Sequence, residues 1–82
     1  MDNQKKYKTS IMIDGQKIIP SDVFDTGTSR FILMDILVEE GKIILKIMGL
    51  SGNFISKIIR IDYDIFSKLS PTDFENWMQK NS

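Results

Sequence analysis

Asp25-Thr26-Gly27, set in the stretch Val23–Ser29, is the segment of this chain whose residue types and order could do chemistry. An aspartate next to a hydroxyl and a glycine suits a tight loop, and two such carboxylates brought together share one proton and activate a water molecule. There are few other routes to catalysis, because the chain has no histidine and no cysteine. The commonest general base, the commonest zinc ligand and the thiolate nucleophile are therefore missing. Asp62, Asp64, Asp73 and Glu75 suggest a Mg²⁺ or Ca²⁺ site, but their spacing is not that of an EF-hand loop. They fall where helix starts favour acidic residues, and they read as caps. No metal and no cofactor are expected. Tyr63, Phe74 and Trp77 could stack nucleic-acid bases. At helical spacing beside Leu69 and Met78 they read instead as a core stripe.

The Val23–Ser29 stretch resembles the active-site segment of the aspartic proteases, in which Asp-Thr-Gly is followed by a small or hydroxyl residue. Ile11–Gln16 is similar to the hairpin that precedes that motif. The resemblance implies a homodimer with one aspartate from each chain. Asp25 would be catalytic, Thr26 would hold the loops together, and Gly27 would permit close backbone approach. The later apolar-apolar-Gly segment of the family has only Ile47-Met48-Gly49 as a counterpart, which follows too soon, with no glycine-rich flap in between. Read by themselves, Asp25 and Thr26 are turn residues that bond nearby backbone, and Gly27 supplies an unusual φ. The expectation is that the chain is not an enzyme.

These residues must be positioned by one small domain. Eighty-two residues are enough for a single core, and a chain this short is marginal unless that core is good. Residues 1–6 read as a flexible N-terminus and 7–82 as the domain. Tyr7–Ile13 reads as a strand, Asp14-Gly15 as a hairpin turn with positive φ at both central positions, and Gln16–Ile19 as the return strand, ended by Pro20. Ser21–Ser29 reads as a connection with a helical turn around Asp22–Phe24. Asp62 reads as the N-cap of a short helix, Tyr63–Leu69. Ser70-Pro71 starts another over residues 71–80, with a Leu69–Phe74 staple.

The stretch Phe31–Leu50 reads as a hairpin apolar on both faces. A Glu40-Gly41 turn aligns Glu39 with Lys42, Val38 with Ile43, Ile36 with Leu45, Asp35 with Lys46 and Met34 with Ile47. One face is then uniformly apolar: Ile32, Met34, Ile36, Val38, Ile43, Leu45 and Ile47. A further turn at Ser51-Gly52-Asn53, with Asn53 left-handed, sets Leu50 against Phe54 and adds Ile55, Ile59 and Ile61 to that face. The other face carries Phe31, Leu33, Leu37, Ile44, Met48, Leu50, Phe54 and Ile58 around a paired Asp35 and Lys46. The predicted fold is α+β: a small, mostly antiparallel sheet of about five strands, a meander or partly closed barrel, followed by a C-terminal helical segment.

Two short helices can cover one sheet face but not easily both, so the mixed face is the expected partner-binding surface. The expected function is a non-enzymatic protein-interaction module: a homodimer, or a regulator or inhibitor docking on a larger protein. Heavy isoleucine use without alanine suits an AT-rich genome and a phage or mobile-element accessory protein. The alternatives are a nucleic-acid-binding small barrel using Lys5, Lys6, Lys8, Arg30 and Arg60, and the aspartic-protease-like homodimer. Eleven basic residues balance eleven acidic ones, which argues against nucleic acid. No apolar run is long enough to be a signal or a membrane span, and the expected location is cytoplasmic.

Overall fold

The computed structural model describes residues 6–81. Its elements are β1 (Lys6–Tyr7), β2 (Ile11–Ile13), β3 (Gln16–Ile18), β4 (Val23–Asp25), β5 (Arg30–Glu39), β6 (Lys42–Ser51), a 3₁₀ turn (Gly52–Phe54), β7 (Ile58–Asp62), α1 (Tyr63–Phe66) and α2 (Pro71–Asn81). The main antiparallel sheet has five strands in the order β1-β5-β6-β7, with β4 also paired to β5. β2 and β3 form a separate two-stranded sheet. The fold is therefore α+β with a C-terminal helix, and the main sheet stays open: β1 and β7 lie at opposite ends of the strand order. Met1–Lys5, most of the predicted flexible N-terminus, and Ser82 lie outside the described residues. No helix among the described residues is long and apolar enough to cross a membrane.

The turns follow their residue types. Asp14 and Gly15 both take positive φ, at 52° and 79°, as do Glu40 and Gly41, at 51° and 78°. Both dipeptides form two-residue hairpin turns whose twist matches the flanking strands. Asp62 caps α1 by accepting a hydrogen bond from the Asp64 amide at 2.8 Å. Ser70 caps α2 by accepting from the Asp73 amide at 3.1 Å, with Pro71 as the first helical residue. α1 is shorter than expected: beyond Phe66 the chain tightens into i→i+3 bonds, from the Lys68 amide to the Ile65 carbonyl and from the Leu69 amide to the Phe66 carbonyl.

Three expectations are corrected. Tyr7–Ile13 is not one strand, because the chain leaves the β5 edge after the Lys8 amide bonds the Ile36 carbonyl and then crosses to the β2–β3 hairpin. Asp22–Phe24 is not a helical turn. Val23, Phe24 and Asp25 pair with Ile32, Phe31 and Arg30, and so form β4. The third turn is also longer than expected. Gly52–Phe54 is a 3₁₀ turn, β7 begins at Ile58, and the left-handed residues are Gly52 and Ser56 rather than Asn53. Here Gly49 permits the close approach, because a Cβ on it would lie 1.9 Å from the Phe54 carbonyl oxygen.

The largest correction concerns register. From the turn to Asp35↔Lys46 the β5–β6 pairing is as expected. Then Leu33, not Met34, faces Ile47, so Met34 is the extra residue of a β-bulge. Parity flips beyond it. Phe31 and Leu33 join Ile36, Leu45, Ile47, Ile59 and Ile61 on the helix-covered face, and all seven are buried. Ile32 pairs with Met48 on the opposite face. Phe31 is fully buried and meets Phe74 edge-on at 5.0 Å and Phe24 in a stack at 5.5 Å. Burying Phe31 and Leu33 is worth about 1.5–3 kcal/mol each. The ladder hydrogen bond disrupted at a bulge is worth about 1 kcal/mol, so packing decides the register.

Leu33→Glu is expected to unfold the protein, costing about 4 kcal/mol or more because the carboxylate would be buried without a partner. In protein dilute enough that association adds nothing, Met48→Glu is expected to leave the fold intact, within about 1 kcal/mol. Equal destabilisation of the two in urea melts would contradict the bulge. Glu40→Asn should raise stability by about 1 kcal/mol, because Asn accepts the left-handed conformation that costs other side chains energy; the same melts measure it.

Candidate functional site

The main sheet has two unlike faces. α2, α1, β4 and the β2–β3 hairpin send Phe74, Met78, Phe66, Phe24 and Ile11 into one contiguous cluster on the first face. The cross-strand rows of the second face follow from the pairing: Val23–Ile32–Met48–Ile58, then Asp35–Lys46–Arg60, then Tyr7–Leu37–Ile44–Asp62. None of these side chains belongs to the first-face cluster. Tyr7, Val23 and Ile58 are 60%, 51% and 50% exposed. Ile32, Ile44 and Met48 are half-buried, and Leu37 is buried within this face.

Of the residues assigned to a partner-binding surface, the structure brings Asp35, Leu37, Ile44, Lys46, Met48 and Ile58 together on the second face. Leu50 is half-buried and sits unpaired at a second register shift, between Phe31↔Gly49 and Arg30↔Ser51. Phe31, Leu33 and Phe54 lie elsewhere, in the core. Val23, Ile32 and Tyr7 take their place; β4 and the Met34 bulge bring in the first two, and neither feature has a signal in the alternation of the sequence.

Charges cross the middle of this face. Arg60 bonds Glu39 across the sheet. Asp35 and Lys46 are directly opposite in register, but the ion pairs among the described residues are Arg60–Glu39 and Arg30–Asp25, and the expected Asp35–Lys46 pair is not formed within 4.0 Å. Asp35 and Lys46 thus stand side by side between apolar rows, with Arg60 next to Lys46, and neither has an ion-pair partner among the described residues.

The Asp-Thr-Gly segment lies at the end of β4. Asp25 is exposed and pairs with Arg30 at 3.3 Å. Thr26 donates to Glu75 Oε1 at 2.6 Å, Thr28 donates to Glu75 Oε2, and the Thr26 amide bonds the Ser29 carbonyl at 2.9 Å. Gly27 has φ +100°. The segment is therefore a loop clamped to α2 by one carboxylate. Glu75 was considered only as part of an acidic group; its role depends on the packing of α2, forty-nine residues on from Thr26 in sequence. Among the described residues no three acidic side chains gather as a metal site would require. Of the basic residues weighed for nucleic acid, Arg30 and Arg60 are in ion pairs and Lys6 lies in β1, while Lys5 falls outside the described residues.

The two threonine hydroxyls hold the Glu75 carboxyl below its ordinary value of 4.5. A carboxyl lowered on folding stabilises the folded state fully above its unfolded value and loses that contribution as pH falls through the folded value. Thermal melts of wild type and Glu75→Gln should therefore differ at neutral pH and converge as pH drops below about 4.5. A difference independent of pH would contradict the clamp.

No protein-family model, no curated protein and no solved structure matches this chain.

Proposed function

We propose that this protein is a non-enzymatic interaction module that works as a homodimer, two copies packing their second sheet faces together. The observation that carries the reading is an apolar sheet face that lies outside the first-face cluster, with Tyr7, Val23 and Ile58 half or more exposed. Contiguous apolar surface of this kind on a small domain marks an interface. β5 and β6 are ten residues each, about 33 Å, while β1, β4 and β7 have two, three and five, so at about 4.8 Å per strand the face offers on the order of 500 Å² per copy. Two copies would bury about 1,000 Å², the lower bound for a specific interface. Aligned sheet-on-sheet packing at about 30° is a ready geometry for two twisted sheets.

The charges favour a second copy over an unrelated partner. A two-fold axis near the Asp35–Lys46 row sets each aspartate against the lysine of the other copy, so the patch is self-complementary. Each charge then gains a partner that it lacks among the described residues, and pairing offsets part of the cost of desolvation.

Light scattering at high micromolar concentration should give twice the 9.5 kDa chain mass. Met48→Glu should give a folded particle of 9.5 kDa. Asp35→Lys and Lys46→Asp should each weaken the dimer, and the double swap should restore it. A wild-type particle of single-chain mass would contradict the homodimer and leave the face to a larger protein.

A further inference from the structure

The first face is not fully covered. Between the β2–β3 hairpin and the α1–α2 segment lies an open cleft of about 410 Å³. Leu33, Leu45, Ile47 and Phe74 line it, all buried core residues, and Ile13 and Ile18 of the hairpin face them. This size falls within the range of small-molecule sites, and an apolar lining with a few polar groups is their usual character.

The polar lining has one sign. Among the described residues, Asp14 and Asp22 carry the charges along the cleft, beside the neutral Gln16, Ser67 and Ser70, and no lysine or arginine lines it. Asp14 is exposed in the hairpin turn and Asp22 is half-buried at the other end of the hairpin, so the carboxylates lie toward solvent and the apolar residues toward the core. Neither takes part in an ion pair among the described residues. Asp22 accepts the Ile19 amide at 2.9 Å through one oxygen, which leaves the other available. An acid-headed amphiphile would meet repulsion here, whereas a cationic head would meet complementary charge.

The hairpin covers the cleft as a separate two-stranded unit. Its two ends are tied to β5, by the Lys8 amide to the Ile36 carbonyl and the Ser21 amide to the Leu33 carbonyl. Between those ties it shares no ladder with the main sheet. Among the described residues, one side-chain hydrogen bond reaches it from the helical segment, from the Tyr63 hydroxyl to the Met12 carbonyl.

We propose that this cleft binds a small amphiphilic amine, its apolar body against Leu33, Leu45 and Ile47 and its cationic head at Asp22, under the β2–β3 hairpin. Apart from Val23, no residue that lines the cleft belongs to the rows of the proposed dimer surface, so the two readings fail independently.

The test is titration of the wild-type protein with hexylamine, octylamine, 1-octanol and octanoate, followed by calorimetry and by amide chemical shifts. Octylamine should bind saturably, with shifts in residues 11–22 and in β6. Kd should tighten about fourfold for each methylene added from hexylamine to octylamine, as burial of a CH₂ requires. Octylamine should bind about tenfold more tightly than octanoate. Asp22→Asn, which keeps the group that accepts the Ile19 amide, should bring octylamine close to octanol and leave octanol unchanged. Met48→Glu should leave all four affinities as they are. Equal affinity for octanoate, absence of saturable binding, or shifts confined to other surfaces would overturn the proposal.

Discussion

Burial of Phe31 under α2 is the interaction on which the rest of the structure depends. The ring sits at the centre of the aromatic group formed by Phe24, Phe54 and Phe74, with Phe66 and Trp77 packed around Phe74. Each contact ties a different part of the chain to the middle of β5: β4 through Phe24, the 3₁₀ turn through Phe54, and α2 through Phe74. Offset and edge-on pairs of this kind add about 0.5–1.5 kcal/mol beyond the area they bury. To place Phe31 there, β5 takes an extra residue at Met34, and β6 presents Gly49 opposite Phe31. The bulge and the close approach at Gly49 thus follow from one packing requirement.

Legibility from the sequence divides along the same line. Everything governed by local chemistry could be read: the Asp14-Gly15 and Glu40-Gly41 turns, the caps at Asp62 and Ser70, Pro71 opening α2, and the hairpin register as far as Asp35 and Lys46. These depend on residues within a few positions of each other. The bulge could not be read, because Ile32 and Met34 are as apolar as Phe31 and Leu33. Alternation has nothing to say when both parities are hydrophobic. β4 was hidden for a related reason: Val23-Phe24-Asp25 is short and sits among turn-forming residues, and only pairing with β5 makes it a strand. Thr26 by itself reads as a turn residue, and the aspartic-protease resemblance implies that it holds loops together. That it does so through Glu75 depends on where α2 lies.

The consequence for the candidate site is a change of membership rather than of place. The second face still combines apolar side chains with the Asp35–Lys46 row, yet Phe31, Leu33 and Phe54 are spent on the core. A monomer without the bulge would put Phe31 and Leu33 on the outside and Ile32 and Met34 inside. The bulge reverses this and leaves a face of isoleucine, methionine and valine around a line of charges. Such a face is flatter and less aromatic than a typical binding hot spot, and it suits broad sheet-on-sheet contact better than insertion into a pocket. In the proposed dimer the central charges set the alignment of the two sheets, and the aliphatic rows on either side supply the area.

The most direct measurement is an isotope-filtered nuclear Overhauser experiment on a mixture of labelled and unlabelled wild-type protein. The proposed packing predicts intermolecular contacts from the Met48 and Ile44 methyl groups to second-face residues of the other copy, and none from Leu33 or Ile47. Intermolecular contacts confined to first-face or edge residues, or none at high micromolar concentration, would contradict it.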